Sequence, residues 1–359
     1  MKKLTTQLGC ALFCAAVSLP AMAAETDVNV FGRAHLSLDH LDNSEESSQF
    51  LNTNSSRIGV SSATELRDGL TAEAQYIARV ALSYGAGGNR DQDLIVGSRE
   101  SYLGLAGDFG VVRAGRITAP MQVHMDRFQM FGDQIGDAGV FLGGGGLVDR
   151  YGNVVAYSTS DWWSAAEPYR FTVGFIPAGG EEKDPGVLMG FDYESGPLFL
   201  GVSANYFGKD SDDLDDLDVN QSDMGGAQLL GSYDLGESRV MGAVQYSSNR
   251  NGVEQDGDDM VVVAGVSRNL NPDTVIKAHA MQYVADADDS DSTLVALGVD
   301  HFLSAQMRVY VATAMTTNDD ASDRTAWGWG HGDVSNPGTP GGVAGETATA
   351  FSVGARYDF

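Results

Sequence analysis

The sequence predicts an all-β fold, a transmembrane antiparallel β-barrel of about 16 strands, and three observations carry that prediction. Short segments alternating apolar and polar residues fill the chain, and no helical period persists against them. The connections between these segments alternate between tight turns and long polar stretches. The last segment, AFSVGARYDF at 350–359, places Phe351, Val353, Ala355, Tyr357 and Phe359 on one face and Ala350, Ser352, Gly354, Arg356 and Asp358 on the other. One face suits lipid and the other water.

The elements follow in order. Lys2 and Lys3 precede an apolar run and the small-x-small triplet Ala21-Met22-Ala23, so residues 1–23 read as a cleavable signal peptide and 24–359 as one outer-membrane barrel domain. Cys10 and Cys14 both fall in the leader, which leaves the exported part without a thiol for a disulfide, a metal or a nucleophile. After Ala24 no stretch approaches the roughly 18 consecutive apolar residues of a membrane helix. Barrel strands alternate and so look hydrophilic on average, which keeps a membrane-spanning fold open.

Sixteen strands are expected near 26–40, 52–63, 69–84, 97–107, 110–117, 152–160, 169–177, 186–194, 197–206, 225–234, 238–248, 258–269, 273–285, 292–303, 305–317 and 346–359. Tight turns occur at 66–69, 107–110, 194–197, 235–238, 270–273 and 303–306; long polar segments occur at 41–51, 85–96, 118–151, 207–224 and 318–345. Short turns at the periplasmic end and long loops at the external end are the transmembrane-barrel arrangement. A soluble sandwich has no reason to sort its loops this way.

The net charge of −27 is concentrated in loops, most densely at 209–223 and 286–291. Neither run has the glycine and terminal glutamate of a calcium loop, so both read as solvated acidic surface. This charge disfavours nucleic acid as a partner. The six histidines form no metal-ligand pattern, no nucleophile motif is recognisable, and no cofactor, metal site or catalytic residue is assigned. Gly143–Gly146 lacks the Lys-Ser/Thr of a phosphate loop and reads as flexible backbone. Trp162 and Trp163 beside a periplasmic turn read as interfacial girdle, and the stretch 327–333, WGWGHGD, as an exposed cap over the mouth.

A wide water-filled barrel needs a constriction, and charged residues at inward positions tune what passes. In 30–38 the register Val30, Ala34, Leu36, Leu38 faces lipid, which turns Arg33 inward; in 54–62 Ile58 and Val60 face out and Arg57 faces in. Arg99 and Arg116 bracket the next hairpin, although leucines share the register of Arg99.

At these residues the chain resembles the general bacterial porins, the Gram-negative trimeric porins. Phe31-Gly32-Arg33, SSRIGVSSATELRDGLTAEAQY at 55–76, SYLGLAGDFGVVRAGR at 101–116, DRYGNVVAY at 149–157 and the terminal Phe carry the resemblance. It implies a homotrimer in outer-membrane lipid and lipopolysaccharide, passing small hydrophilic solutes and ions by passive diffusion. It also implies a third external loop, here 117–151, folded into the lumen. Arg33, Arg57, Arg99 and Arg116 match the basic wall of the constriction, and Asp126, Asp133 and Asp137 are the acidic residues expected to oppose it. Two departures stand out: Ala156 and Ser158 occupy positions where members often carry another Arg, and MFGDQIGDAG at 130–139 replaces the common Pro-Glu-Phe-Gly-Gly-Asp. A substrate-specific channel and a non-transporting barrel, adhesin or enzyme, are the alternatives.

Overall fold

The computed structural model describes residues 26–83, 95–143, 146–165, 168–178, 184–208, 223–249, 257–332 and 339–359. The expected leader, residues 209–222 of the acidic run and Gly144–Gly145 lie outside the described residues.

The strands are β1 (Thr26–Asp42), β2 (Ser47–Thr53), β3 (Arg57–Arg67), β4 (Leu70–Val80), β5 (Ile95–Gly107), β6 (Gly110–Thr118), β7 (Arg150–Ser158), β8 (Tyr169–Ile176), β9 (Gly186–Ser195), β10 (Leu198–Phe207), β11 (Met224–Asp234), β12 (Ser238–Ser248), β13 (Asp259–Asn271), β14 (Thr274–Ala285), β15 (Ser292–Phe302), β16 (Met307–Asn318) and β17 (Thr347–Asp358). Two helices, α1 (Pro120–Phe128) and α2 (Gly139–Leu142), lie between β6 and β7. Sequence neighbours pair antiparallel, and β1 closes on β17 with Arg33 opposite Asp358 and Leu41 opposite Ala350. Closure satisfies the backbone of every strand and leaves no edge.

These strands make a closed sixteen-stranded barrel, because β2 and β3 are halves of one strand interrupted at 54–56. The upper half of β1 pairs with β2 and its lower half with β3. The break is stitched by the Asn54 N–H donating to the His35 carbonyl at 3.0 Å and the His35 N–H donating to Ser56 Oγ at 3.0 Å. The sequence reading starts this strand five residues late, since Ser47, Ser48 and Gln49 carry no apolar alternation.

Burial alternates along the wall with an inverted sense. On β15, Val295, Leu297 and Val299 are 40%, 54% and 38% exposed, whereas Leu294, Ala296 and Asp300 are buried. On β17, Phe351 and Val353 are exposed while Ala350 and Ser352 are buried. A continuous exposed apolar face with polar residues turned inside is a surface built for lipid.

The main apolar core lies between the 119–149 segment and the inner face of β9–β16. Met121, Met125, Phe128, Phe131, Ile135, Phe141, Leu142 and Leu147 are fully or almost fully buried in one cluster with Leu188, Leu230, Met241, Val261, Met281 and Leu294. Each such side chain contributes about 1.5–3 kcal/mol, so the segment is pinned rather than draped. Its buried carbonyls, in, between and just after the two short helices, accept from inward polar side chains. Asn205 donates to the Leu147 carbonyl at 2.6 Å, Gln228 to Met121 at 2.7 Å, Gln245 to Leu142 at 2.8 Å and Lys277 Nζ to Met130 at 3.0 Å.

The helix α1 begins with proline at its first position, where a missing N–H costs nothing. Gly190 lets it approach the wall: a Cβ there would stand 2.5 Å from Pro120 Cβ. At its far end His124 Nε2 lies 3.2 Å from Asp192 Oδ1, and Arg127 pairs with both Asp192 and Glu194.

Two expectations are corrected here. Trp162 is only 2% exposed and lies, with Tyr102, within 5 Å of the Arg113 guanidinium (4.8 and 4.6 Å), while Trp163 lines the interior cavity, so the pair turns inward and does not belong to a lipid girdle. The stretch 327–332 is not an exposed cap: Trp327 and His331 are buried at 5% and 2% exposure.

Candidate functional site

Strand register places the charges before any side chain is considered, because residues directly opposite on paired strands share a face with Cβ atoms about 4.5–5.5 Å apart. Asp358 on β17 stands opposite Arg33 on β1, Arg33 opposite Arg57 on β3, and Arg57 opposite Arg79 on β4. Arg79 stands opposite Gly97 on β5, whose missing side chain leaves room for that guanidinium. Three arginines abreast repel one another, and like charges directly opposite destabilise a sheet. A run of that kind concentrates positive potential on one arc of the inner wall.

Arg99 joins the row through a bulge. Glu100 pairs with Ile77 and Ser98 with Ala78, which leaves Arg99 as an extra residue, and Arg99 and Glu100 both reach the interior cavity. A bulge of this type re-aims a side chain. It also explains why Arg99 shares a sequence register with Leu103 and Leu105, which are exposed on the outer face at 67% and 43%.

The row faces a cavity of about 780 Å³, lined by Arg33, Arg57, Arg79, Arg99, Arg150 and Arg356 and by the carboxylates of Glu100, Asp126, Asp133, Asp149 and Asp358. Asp133 is the central acid. Its Oδ2 accepts from Arg33 Nη1 at 2.5 Å, while Arg33 Nε donates to Asp358 Oδ1 at 2.7 Å. Burial alone would raise the Asp133 carboxyl, but Arg33, Arg57 and Arg99 outweigh it and hold the group far below the usual carboxylate range. Asp126 accepts from Gln122 at 2.7 Å and lies 3.6 Å from Arg150. Burial, with Asp133 adding repulsion, lifts its carboxyl above the ordinary value despite Arg150. Among the described residues Arg57, Arg79 and Arg99 have no carboxylate within ion-pair range; Arg99 donates to Ser55 Oγ at 2.7 Å.

Of the residues expected from sequence, the structure brings Arg33, Arg57, Arg99, Asp126 and Asp133 together around this cavity. Arg116 and Asp137 are not among its lining residues. Arg116 stands opposite Ser101, in the row that continues to the exposed Tyr76, which is the outer face of the wall. Asp137 is 1% exposed and accepts the N–H groups of Asp133 at 2.6 Å and Gly139 at 2.8 Å, so it shapes the turn that presents Asp133. Burial first, and Asp133 next, push its carboxyl well above the usual range.

Arg79, Arg150, Arg356, Glu100, Asp149 and Asp358 also line this cavity and are not among the residues expected from sequence. Equal counting back from the turn at 66–69 sets Ala78 opposite Arg57, and the register shift between Glu65 and Arg67 is what moves Arg79 into that place. Arg356 and Asp358 lie on the water face of the last strand, and closure onto β1 brings them beside Arg33. Gly328, Trp329 and Gly330 of the last long loop also line the cavity. Among the described residues no group of three or more His, Cys, Asp or Glu has a metal-binding arrangement.

A family model described as Gram-negative porin matches residues 10–321. Outer membrane porin protein 32 of Delftia acidovorans is 26% identical over 366 residues, which span 94% of this chain and 96% of that protein. Chitoporin of Vibrio furnissii is 28% identical over 161 residues, 43% of this chain and 44% of its own length. Among solved structures, the anion-selective porin from Comamonas acidovorans superposes with a TM-score of 0.72 at 22% identity, over 93% of this chain and all of that one. OmpT of Vibrio cholerae in its trimer form gives 0.66 at 16% identity, over 93% and 99%. At these identities the structural likeness speaks for the barrel alone.

Proposed function

Because the chain belongs to the Gram-negative porin family and forms an outer-membrane channel for passive diffusion of small solutes, we propose that its selectivity is set where the 119–149 segment folds into the lumen as the third external loop. The neck lies between that loop and the arginine row. The observation that carries this reading is the register run Arg33–Arg57–Arg79 together with Asp133 of the loop on Arg33. Opposed charges across a narrow aqueous zone orient water and dipolar solutes and penalise apolar ones.

The balance at the neck favours anions. Six arginines meet five carboxylates there, three of those arginines have no carboxylate partner among the described residues, and burial raises the carboxyl of Asp126 toward its neutral form. The chain's net −27 points the other way. Distance decides between them: from Arg33 to the top of β1 is nine residues, about 30 Å of strand at ~3.3 Å per residue, against a Debye length of about 8 Å at physiological salt. Charge in the loops is screened from the neck. The name of the Comamonas relative, anion-selective, agrees with this preference.

The remaining parts follow the same reading. Residues 1–23 act as a cleaved export signal and 24–359 as the barrel, which sits in outer-membrane lipid and lipopolysaccharide as a homotrimer, the form named for the Vibrio cholerae neighbour. The channel passes small hydrophilic solutes and ions and catalyses no reaction. Purified protein in planar bilayers is expected to give ohmic current steps, and liposomes carrying it are expected to swell in small sugars. Absence of both would overturn the channel at its root.

A further inference from the structure

The stretch 327–332 reads Gly at every second position, and Gly328, Gly330 and Gly332 all adopt left-handed φ values of 115°, 62° and 62°. Three side chains alternate with these glycines, those of Trp327, Trp329 and His331. Two of the three are anchored. Trp327 is buried with Nε1 donating to the Pro340 carbonyl at 3.0 Å, and His331 is buried with Nε2 3.0 Å from Asp39 Oδ2. The flanks are fixed again by the Gly332 N–H on Asn54 Oδ1 at 2.8 Å and by the Ala326 carbonyl, which accepts the Gly136 N–H at 2.7 Å.

Trp329, between the anchors, is held differently. Its indole lies over Gly139 and Gly143, and a Cβ on either glycine would meet ring atoms, those nearest Gly139 in the five-membered ring and those nearest Gly143 in the six-membered ring. One face of the indole is therefore seated on α2, while the residue remains part-exposed and lines the cavity. The next residue, Gly330, abuts Asp133 at 2.7 Å from Oδ1 to a Cβ position, and Asp133 holds Arg33. A rigid aromatic platform thus adjoins the arginine row, in the same cavity as three guanidinium groups without carboxylate partners.

We infer that Trp329 is the stacking half of a solute site whose charged half is Arg57, Arg79 and Arg99, and that this site takes aromatic carboxylates. The inference rests on the neck reading above. A flat ring stacks on the indole where it borders the cavity while its carboxylate meets the planar guanidinium groups, a charge-assisted contact that neutral sugars lack. Pre-anchoring of the loop keeps the platform from losing side-chain freedom when a solute binds.

The test uses the wild-type channel in planar bilayers at neutral pH, with benzoate, cyclohexanecarboxylate and benzamide as probes added to KCl. Benzoate is expected to interrupt the chloride current with an affinity about 3–10-fold above cyclohexanecarboxylate, which has the charge without the flat face. Benzamide, with the ring and no charge, is expected to leave the current unaltered. Trp329→Leu is expected to reduce benzoate to the cyclohexanecarboxylate level and Trp329→Phe to keep most of the difference. Equal affinity for the two acids in the wild type, equal action of benzamide, or an unchanged Trp329→Leu channel would overturn the inference. The KCl reversal potential of the same channels reads the neck separately: loss of anion preference there would remove both readings, and its presence without a ring effect removes only this one.

Discussion

Asp133 is the acid bound directly to the basic row, and in the proposed neck it would carry more of the electrostatics than its single charge suggests. Its side chain and that of Arg33 are 16% and 12% exposed, so the pair is little screened. A unit charge about 8 Å from a passing ion is worth about 2 kcal/mol at an effective dielectric of about 20 and about 0.5 kcal/mol in bulk water. Asp133→Asn is accordingly expected to raise the chloride-to-potassium permeability ratio at least about twofold, read from the reversal potential in a KCl gradient. The two neighbouring acids titrate in the other direction. As pH falls toward the ordinary carboxylate range, Asp126, lifted by burial, takes up a proton while Asp133 stays ionised, so anion preference should rise on mild acidification. Asp126→Asn is expected to flatten that part of the pH profile; an identical profile in the variant would contradict the assignment. The linkage to folding has the matching sign. The depressed Asp133 carboxyl contributes stability that is present above the ordinary carboxylate value and lost as pH falls through its lowered one. Arg33 and Arg57 were legible in the sequence, since apolar neighbours at alternate positions fix their parity. Arg99 was ambiguous because it sits at a register shift in β5 that parity counting does not register, whereas Arg116 was assigned through the resemblance and is not among the residues lining the cavity.

At the level of elements, strands were readable and loops were not, for one physical reason. A strand between lipid and water imposes a period of two on its residues, so fifteen of the sixteen barrel strands fall close to their expected limits; only the start of the 47–53 half-strand, where Ser47, Ser48 and Gln49 are all polar, escaped. The 119–149 segment and the 319–346 loop obey no period, and their roles depend on what they touch. That Trp327, Trp329 and His331 turn inward depends on partners such as Pro340, Gly139 and Asp39, and no local pattern names those partners. The two loops are mechanically joined by the indole of Trp329 on Gly139 and by the Gly136–Ala326 hydrogen bond of 2.7 Å. Gly139→Ala puts a methyl group where the ring lies, an overpacking that costs about 1–3 kcal/mol. The expected outcome is an assembled barrel with larger and noisier single-channel conductance, as the last loop loosens from the neck. Conductance indistinguishable from wild type would show that the two loops do not cooperate.

For the whole molecule, the sixteen-stranded closure does more than shelter the backbone. It brings the last strand beside the first, so that Arg356 and Asp358, at the end of the sequence, lie in one cavity with Arg33, Arg57 and Arg79. The 119–149 segment shares its apolar core with β9–β16, and the run of paired arginines lies on the other strands, from β1 and β3 to β5. On the reading proposed above, selectivity depends on a short arc of wall, while the −27 of the whole chain is spread largely over loops a few Debye lengths away. The most direct test is the reversal potential of single channels in a tenfold KCl gradient, for the wild type and for Arg57→Gln/Arg79→Gln/Arg99→Gln. The wild type should be anion-preferring and the triple variant should shift toward cations with its conductance retained; a wild-type cation preference, or a triple variant with an unchanged reversal potential, would contradict the arginine row as the selectivity determinant.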